Sequence, residues 1–152
     1  MKWSAQAGQD AYVFQRALLK CSEGIFVEFG ARDGIEHSNT YAFEHGLGWR
    51  GLLFEADPKE FRRLQANRPH SVVFHGAVCP RGQKNLSFAV SQVPGWSGPS
   101  TTYEPSRAHS TAQTVQVKCY DLAHELATRK FQVVDYMTID VEGHEVAIIE
   151  DF

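Results

Sequence analysis

The stretch Phe26-Val27-Glu28-Phe29-Gly30-Ala31-Arg32-Asp33-Gly34 runs an apolar segment into a glycine turn with an acid on each side. Glycine turns after strands often hold phosphate, and the dinucleotide form needs G-x-G-x-x-G so that backbone amides can approach a pyrophosphate. Here the central glycine is missing, and Glu28 and Asp33 would repel a phosphate. A cationic ligand without phosphate suits the turn better. S-adenosylmethionine, with its sulfonium, ammonium, ribose and adenine, is such a ligand, and carboxylates accept hydrogen bonds from its ammonium. Glu55 stands 21 residues beyond Gly34, where an acid binds ribose hydroxyls in such folds. Its other reading is a solvated helix-capping acid before Asp57-Pro58. Ala56 is small and apolar, as a neighbour of adenine should be. Asp140 ends the last apolar run and would face the reacting end of the cofactor if the strand order is 3-2-1-4.

The elements that must position these residues follow from pattern. Residues 25–30, 51–56, 71–78 and 131–140 read as buried strands, and helical spacing or caps mark the segments between them. Asp10 is a candidate N-cap for the helix beginning AYVFQRALLK, and Asp57-Pro58 caps a helix running to about Arg68. Strands alternating with helices argue for βαβ units and a parallel sheet. The pattern then breaks. Residues 86–91 and 114–119 alternate like half-exposed strands, and the Gly/Pro/Ser/Thr-rich stretch between them reads as one long loop. Its residues 94–113, with Trp96 and Tyr103, are expected to form a lid or an acceptor-facing loop.

The chain of 152 residues fits a single domain over residues 1–152, able to bury a core without staples. Its net charge of −3 gives no footprint for nucleic acid or an anionic membrane. No apolar run approaches the roughly 18 residues of a spanning helix, and the N-terminus shows no apolar leader. Cys21, Cys79 and Cys119 are far apart and odd in number, so they read as reduced, mostly buried thiols. A soluble cytoplasmic protein is the expectation.

The segments SAQAGQD (4–10), FVEFGARDG (26–34), SNT (38–40), GWRGLLFEADP (48–58) and TIDVEGHE (138–145) together resemble the FkbM family of S-adenosylmethionine-dependent methyltransferases. The resemblance implies an α/β, Rossmann-like class I methyltransferase sheet and O-methylation of a hydroxyl on a sugar or other small molecule. It implies that Glu28, Gly30, Ala31, Asp33 and Gly34 form the cofactor turn. Asn39 either reaches the methionine moiety or starts a helix. Glu55 is the ribose acid, Ala77 adjoins adenine, and Asp140, Glu142 and Glu145 match the family's acidic segment. Against the family's seven strands, the chain is expected to be C-terminally incomplete, with strand order 3-2-1-4 and strands 5–7 absent.

Methyl transfer to a hydroxyl needs the oxygen held near the methyl group and often a base for its proton. Asp140 and His144 are the candidates, with His37 behind them. Each has a plain alternative: Asp140 orienting the cofactor, His144 on an exposed helix start, His37 in a solvated loop. A metal at Asp140, Glu142, His144 and Glu145 is the minority reading, because residues two apart on a strand diverge. The absent glycine discounts a nicotinamide oxidoreductase. A non-catalytic cofactor-binding or assembly module is the rival from another class. An uncovered strand 131–140 is expected to let two copies pair as a homodimer.

Overall fold

The computed structural model describes residues 1–17, 22–93, 96–103 and 112–150. Strands β1 (Ile25–Phe29), β2 (Arg50–Glu55) and β3 (Val72–His75) alternate with helices α1 (Gln9–Arg16), α2 (Tyr41–Leu47) and α3 (Pro58–Asn67). Then follow β4 (Ala77–Val78), β5 (Asn85–Ser91), β6 (Gly98–Pro99), β7 (Ala112–Tyr120), α4 (Leu122–Thr128), β8 (Tyr136–Ile139) and α5 (Glu145–Ile149). The described strands form two four-stranded sheets, one ordered β3-β2-β1-β8 and the other β4-β7-β5-β6. Every pairing in the first sheet is parallel, with Phe29 opposite Phe54 and Ile139. This is the mixed α/β architecture with a parallel sheet that the alternating pattern predicts.

Both faces of the parallel sheet are covered, which is why its strands read as continuous apolar runs. Val27, Phe29, Leu52, Phe54 and Phe74 bury one face with Leu122 and Ile148. Phe26, Leu53, Phe43, Trp49 and Leu64 bury the other. Strand alternation puts Glu28 on the second face, among the groups around α2 and α3. That single parity decides its role below.

Residues 71–78 are not one strand. Gly76, at φ 150°, turns the chain out of the first sheet, so that β3 pairs β2 while β4 pairs β7. A Cβ there would lie 2.3 Å from the Lys118 carbonyl oxygen, so the corner requires glycine. The second sheet continues through antiparallel β5–β7 and β5–β6 pairs. Its buried face, Leu86, Phe88, Val117 and Cys119, packs on Ala56.

Four further expectations are corrected. Cys79 and Cys119 form a disulfide rather than two free thiols, joining the end of β4 to β7. Asp10 lies inside α1, whose N-cap is Gly8. Its carboxylate accepts from the backbone N–H of Ser4, Ala5 and Ala11, so it pins the N-terminal segment instead of capping the helix. The strand over 131–140 shrinks to Tyr136–Ile139, half-buried throughout. The expected long loop contains strand β6, and Thr102 Oγ1 donates to the Glu142 carbonyl at 2.9 Å. Residues 94–95 and 104–111 of the expected lid lie outside the described residues.

Candidate functional site

A cleft of about 710 Å³ opens at the carboxyl ends of β1, β2 and β8, with the second sheet as its far wall. Its size falls within the roughly 300–1,000 Å³ of small-molecule sites, and ligands of open parallel sheets bind at this end. Gly30, Ala31, Asn39, Glu55, Ala56 and Ala77 line it, and Asp140 and His144 join them from the end of β8. Glu28, Asp33 and Gly34 do not.

The close passage of β1 and β8 makes the floor. Gly30, at φ 73°, sits so near the β8 end that a Cβ would lie 2.0 Å from the Asp140 carbonyl oxygen. The same turn sends the Arg32 N–H to Glu55 Oε2 at 2.6 Å. The Asp57 N–H reaches Glu55 Oε1 at 2.7 Å. Each Glu55 oxygen accepts one backbone hydrogen bond and has capacity for another. Burial pushes its carboxyl up to about 7, although both backbone bonds pull it down. Asp57 is the true cap of α3, accepting from the N–H groups of Lys59 and Glu60. Glu55 is thereby released from the capping alternative.

Glu28 is spent inside the fold. It accepts from Ser38 Oγ, the Asn39 N–H and Thr40 Oγ1 at 3.0, 2.8 and 2.5 Å. Arg68 lies 3.8 Å away. Burial raises the Glu28 carboxyl against these partners, Arg68 foremost. Asp33 Oδ1 accepts from the Ile35 and Glu36 N–H groups and so shapes the turn. Gly34 packs against Leu64 and Arg68.

Around β8, partial burial and then the Glu145 charge raise the Asp140 carboxyl, while Arg32 lowers it. A raised carboxyl is a better proton acceptor near neutral pH. His144 Nε2 is buried without a hydrogen-bond partner among the described residues. Glu145 turns back onto the Val141 and Gly143 N–H groups and does not line the cleft. No group of three or more His, Cys, Asp or Glu among the described residues is disposed to hold a metal ion.

The sequence matches the family described as "Methyltransferase FkbM domain" over residues 28–152. The chain belongs to the FkbM methyltransferase family. No curated protein and no solved structure matches it. The cleft also holds residues that motif spacing does not reveal. Leu86, Phe88 and Val90 of β5 form an apolar wall, Pro99 extends it beside Trp96 of the expected acceptor-facing loop, and Gln6 enters from the segment before the matched FkbM domain. The alternation of β5 signals a buried face but not what that face covers. The only local sign for Gln6 is its place beside the GQD segment, which Asp10 anchors. Among the described residues no helix of this FkbM domain is long and apolar enough to cross a membrane.

Proposed function

We propose that this FkbM-family chain transfers a methyl group from S-adenosylmethionine to a hydroxyl of a sugar or other small molecule. The observation that carries the reading is Glu55, a buried carboxylate at the end of β2 that faces the cleft with unused acceptor capacity. Two ribose hydroxyls are donors of the right kind for it. Ala56, Ala77 and the apolar side chains of β5 line the cleft with it, which supports adenine as the neighbour.

When bound, the cofactor supplies an electrophilic methyl group on a sulfonium. The acceptor oxygen gives up its proton as it bonds to the methyl carbon and the carbon–sulfur bond breaks. Asp140 and His144, at the end of β8, are the cleft groups assigned to take that proton. The raised Asp140 carboxyl and the unpartnered His144 Nε2 support these roles. His37 is a weaker base, because its Nδ1 lies 2.8 Å from Arg32 Nη1. A guanidinium can only donate, so Nδ1 accepts and the ring proton sits on Nε2, leaving no open acceptor.

The disulfide weighs against a cytoplasmic home and favours an oxidising compartment. The place of β8 as the last strand of its sheet among the described residues favours a second reading, a cofactor-binding module that pairs with another copy. Calorimetry with S-adenosylmethionine and its demethylated product tests binding. Labelled methyl transfer to a panel of hydroxylated acceptors tests catalysis. No heat on titration removes the function proposed here, and binding without transfer to any acceptor favours the module.

A further inference from the structure

Five non-glycine residues adopt positive φ among those described, and three of them, Arg32, His37 and Glu142, line the cleft. Such conformations are uncommon for side-chain-bearing residues and persist where the surroundings enforce them. Arg32 at φ 51° and His37 at φ 64° meet through the Arg32 Nη1–His37 Nδ1 bond. A backbone bridge between Ala5 and His37 then holds the N-terminal segment beside them, which brings Gln6 into the cleft.

The cleft is otherwise acidic. Among the described residues Glu36, Glu55, Asp57, Glu60, Asp140 and Glu142 line it, against the cations Arg32 and Lys59. Among the described residues the carboxylate paired with Arg32, that of Glu36, is 3.8 Å away and largely exposed, Asp140 feels the Arg32 charge from further off, and Arg32 Nε is buried without an acceptor. The cationic groups of a ligand are drawn to the acids rather than to the Arg32 guanidinium. What the corner can hold is an anion. The planar guanidinium fork suits a carboxylate in two-point contact. The His37 tautomer fixed by Arg32 presents Nε2–H as a further donor, and the Gln6 amide is a third.

We propose that Arg32 and His37, with Gln6, form a carboxylate-recognition site in the wall of the cleft. The carboxylate comes either from the methionine end of the cofactor or from an acidic acceptor such as a uronic acid. The inference deepens the methyltransferase reading and rests on it for the first of these sources.

The test compares wild type with Arg32→Gln, whose thermal unfolding is first checked against wild type. Calorimetry uses S-adenosylhomocysteine, which carries the carboxylate, and 5′-methylthioadenosine, which does not. Weakening of S-adenosylhomocysteine by about tenfold or more, with 5′-methylthioadenosine within about twofold, supports the site and assigns it to the cofactor. The second arm follows the His37 ring by NMR as D-glucuronate or D-glucose is added, with and without S-adenosylhomocysteine. A shift given by glucuronate alone and lost in Arg32→Gln supports the site and assigns it to the acceptor. Equal S-adenosylhomocysteine affinity in both proteins, together with no glucuronate-specific shift, overturns the proposal. Failure of wild type to bind either nucleoside sinks the methyltransferase reading, and the glucuronate arm on the free protein then decides the carboxylate site by itself.

Discussion

Glu28 and Arg68 face each other across 3.8 Å with both side chains out of reach of water. Arg68 also donates to Glu44 Oε2 at 2.8 Å, to the Gly34 carbonyl, to Ser38 Oγ and to Thr40 Oγ1. One guanidinium therefore ties β1, the turn after it, α2 and the end of α3 together. Its removal strands two buried carboxylates. Arg68→Ala is expected to destabilise the fold by roughly 3–5 kcal/mol, as for other broken buried pairs. Chemical denaturation measures this. A loss below about 1 kcal/mol would show that the network is not needed.

Glu55 links stability to pH with a definite sign. Its carboxyl titrates at about 7 in the folded chain and at the ordinary 4.5 when exposed. The folded state therefore holds the proton more tightly, and the free protein loses stability as pH rises from about 4.5 through 7. The loss is on the order of 3 kcal/mol. Cofactor binding through the ionised carboxylate runs the other way, with affinity falling about tenfold per unit below pH 7. Thermal unfolding and calorimetry across pH 5–8 check both trends; Glu55→Gln should reduce the first, to which the raised Glu28 and Asp140 carboxyls also contribute, and abolish the second. A flat affinity profile would remove Glu55 from the ribose role.

Asp140→Asn and His144→Gln separate base from scaffold. Loss of the general base is expected to lower turnover by about 10²–10⁴-fold while leaving product-cofactor affinity near wild type. If both variants keep full turnover, the proton leaves by another route.

The disulfide spans 40 residues of sequence and fastens the second sheet beside the cleft. Reduction, or Cys79→Ser, is expected to cost about 2–4 kcal/mol. Thiol titration of the unreduced, denatured chain should find one free cysteine of three. Three free thiols in protein made under oxidising conditions would refute the pairing.

β8 is hydrogen-bonded to β1 on one side and is the last strand of its sheet among the described residues. Val133, Val146 and Ile149 are exposed nearby. We expect copies to associate through this region, as a two-fold pair continuing the sheet. Light scattering coupled to size exclusion should report a dimer that dissociates on dilution. A monomer over a wide concentration range would show that the edge is protected.

Much of the lining of the candidate cleft was legible in the sequence because it depends on local order. Gly30, Ala31, Glu55, Ala56 and Asp140 fall at or just past the carboxyl ends of β1, β2 and β8, and parallel strands must deliver those ends to one side. Pattern alone locates such ends. The apolar runs likewise fixed which segments form the parallel sheet, since a strand covered on both faces cannot tolerate polar alternation.

What the sequence left open turned on partners distant along the chain. Whether Glu28 meets a ligand or Arg68 depends on strand parity and on the end of α3, 40 residues away. Glycine at position 76 does not itself say that the chain changes sheets there; the Lys118 carbonyl beside it does. The pairing of Cys79 with Cys119 and the wall of β5 over Ala56 arise only once the second sheet folds back. The strained Arg32–His37 corner is equally invisible in one dimension, because nothing local favours positive φ at either residue. Local periodicity sets which face of an element is apolar. Only tertiary packing decides which buried polar groups find each other, and so which acids and cations remain for chemistry.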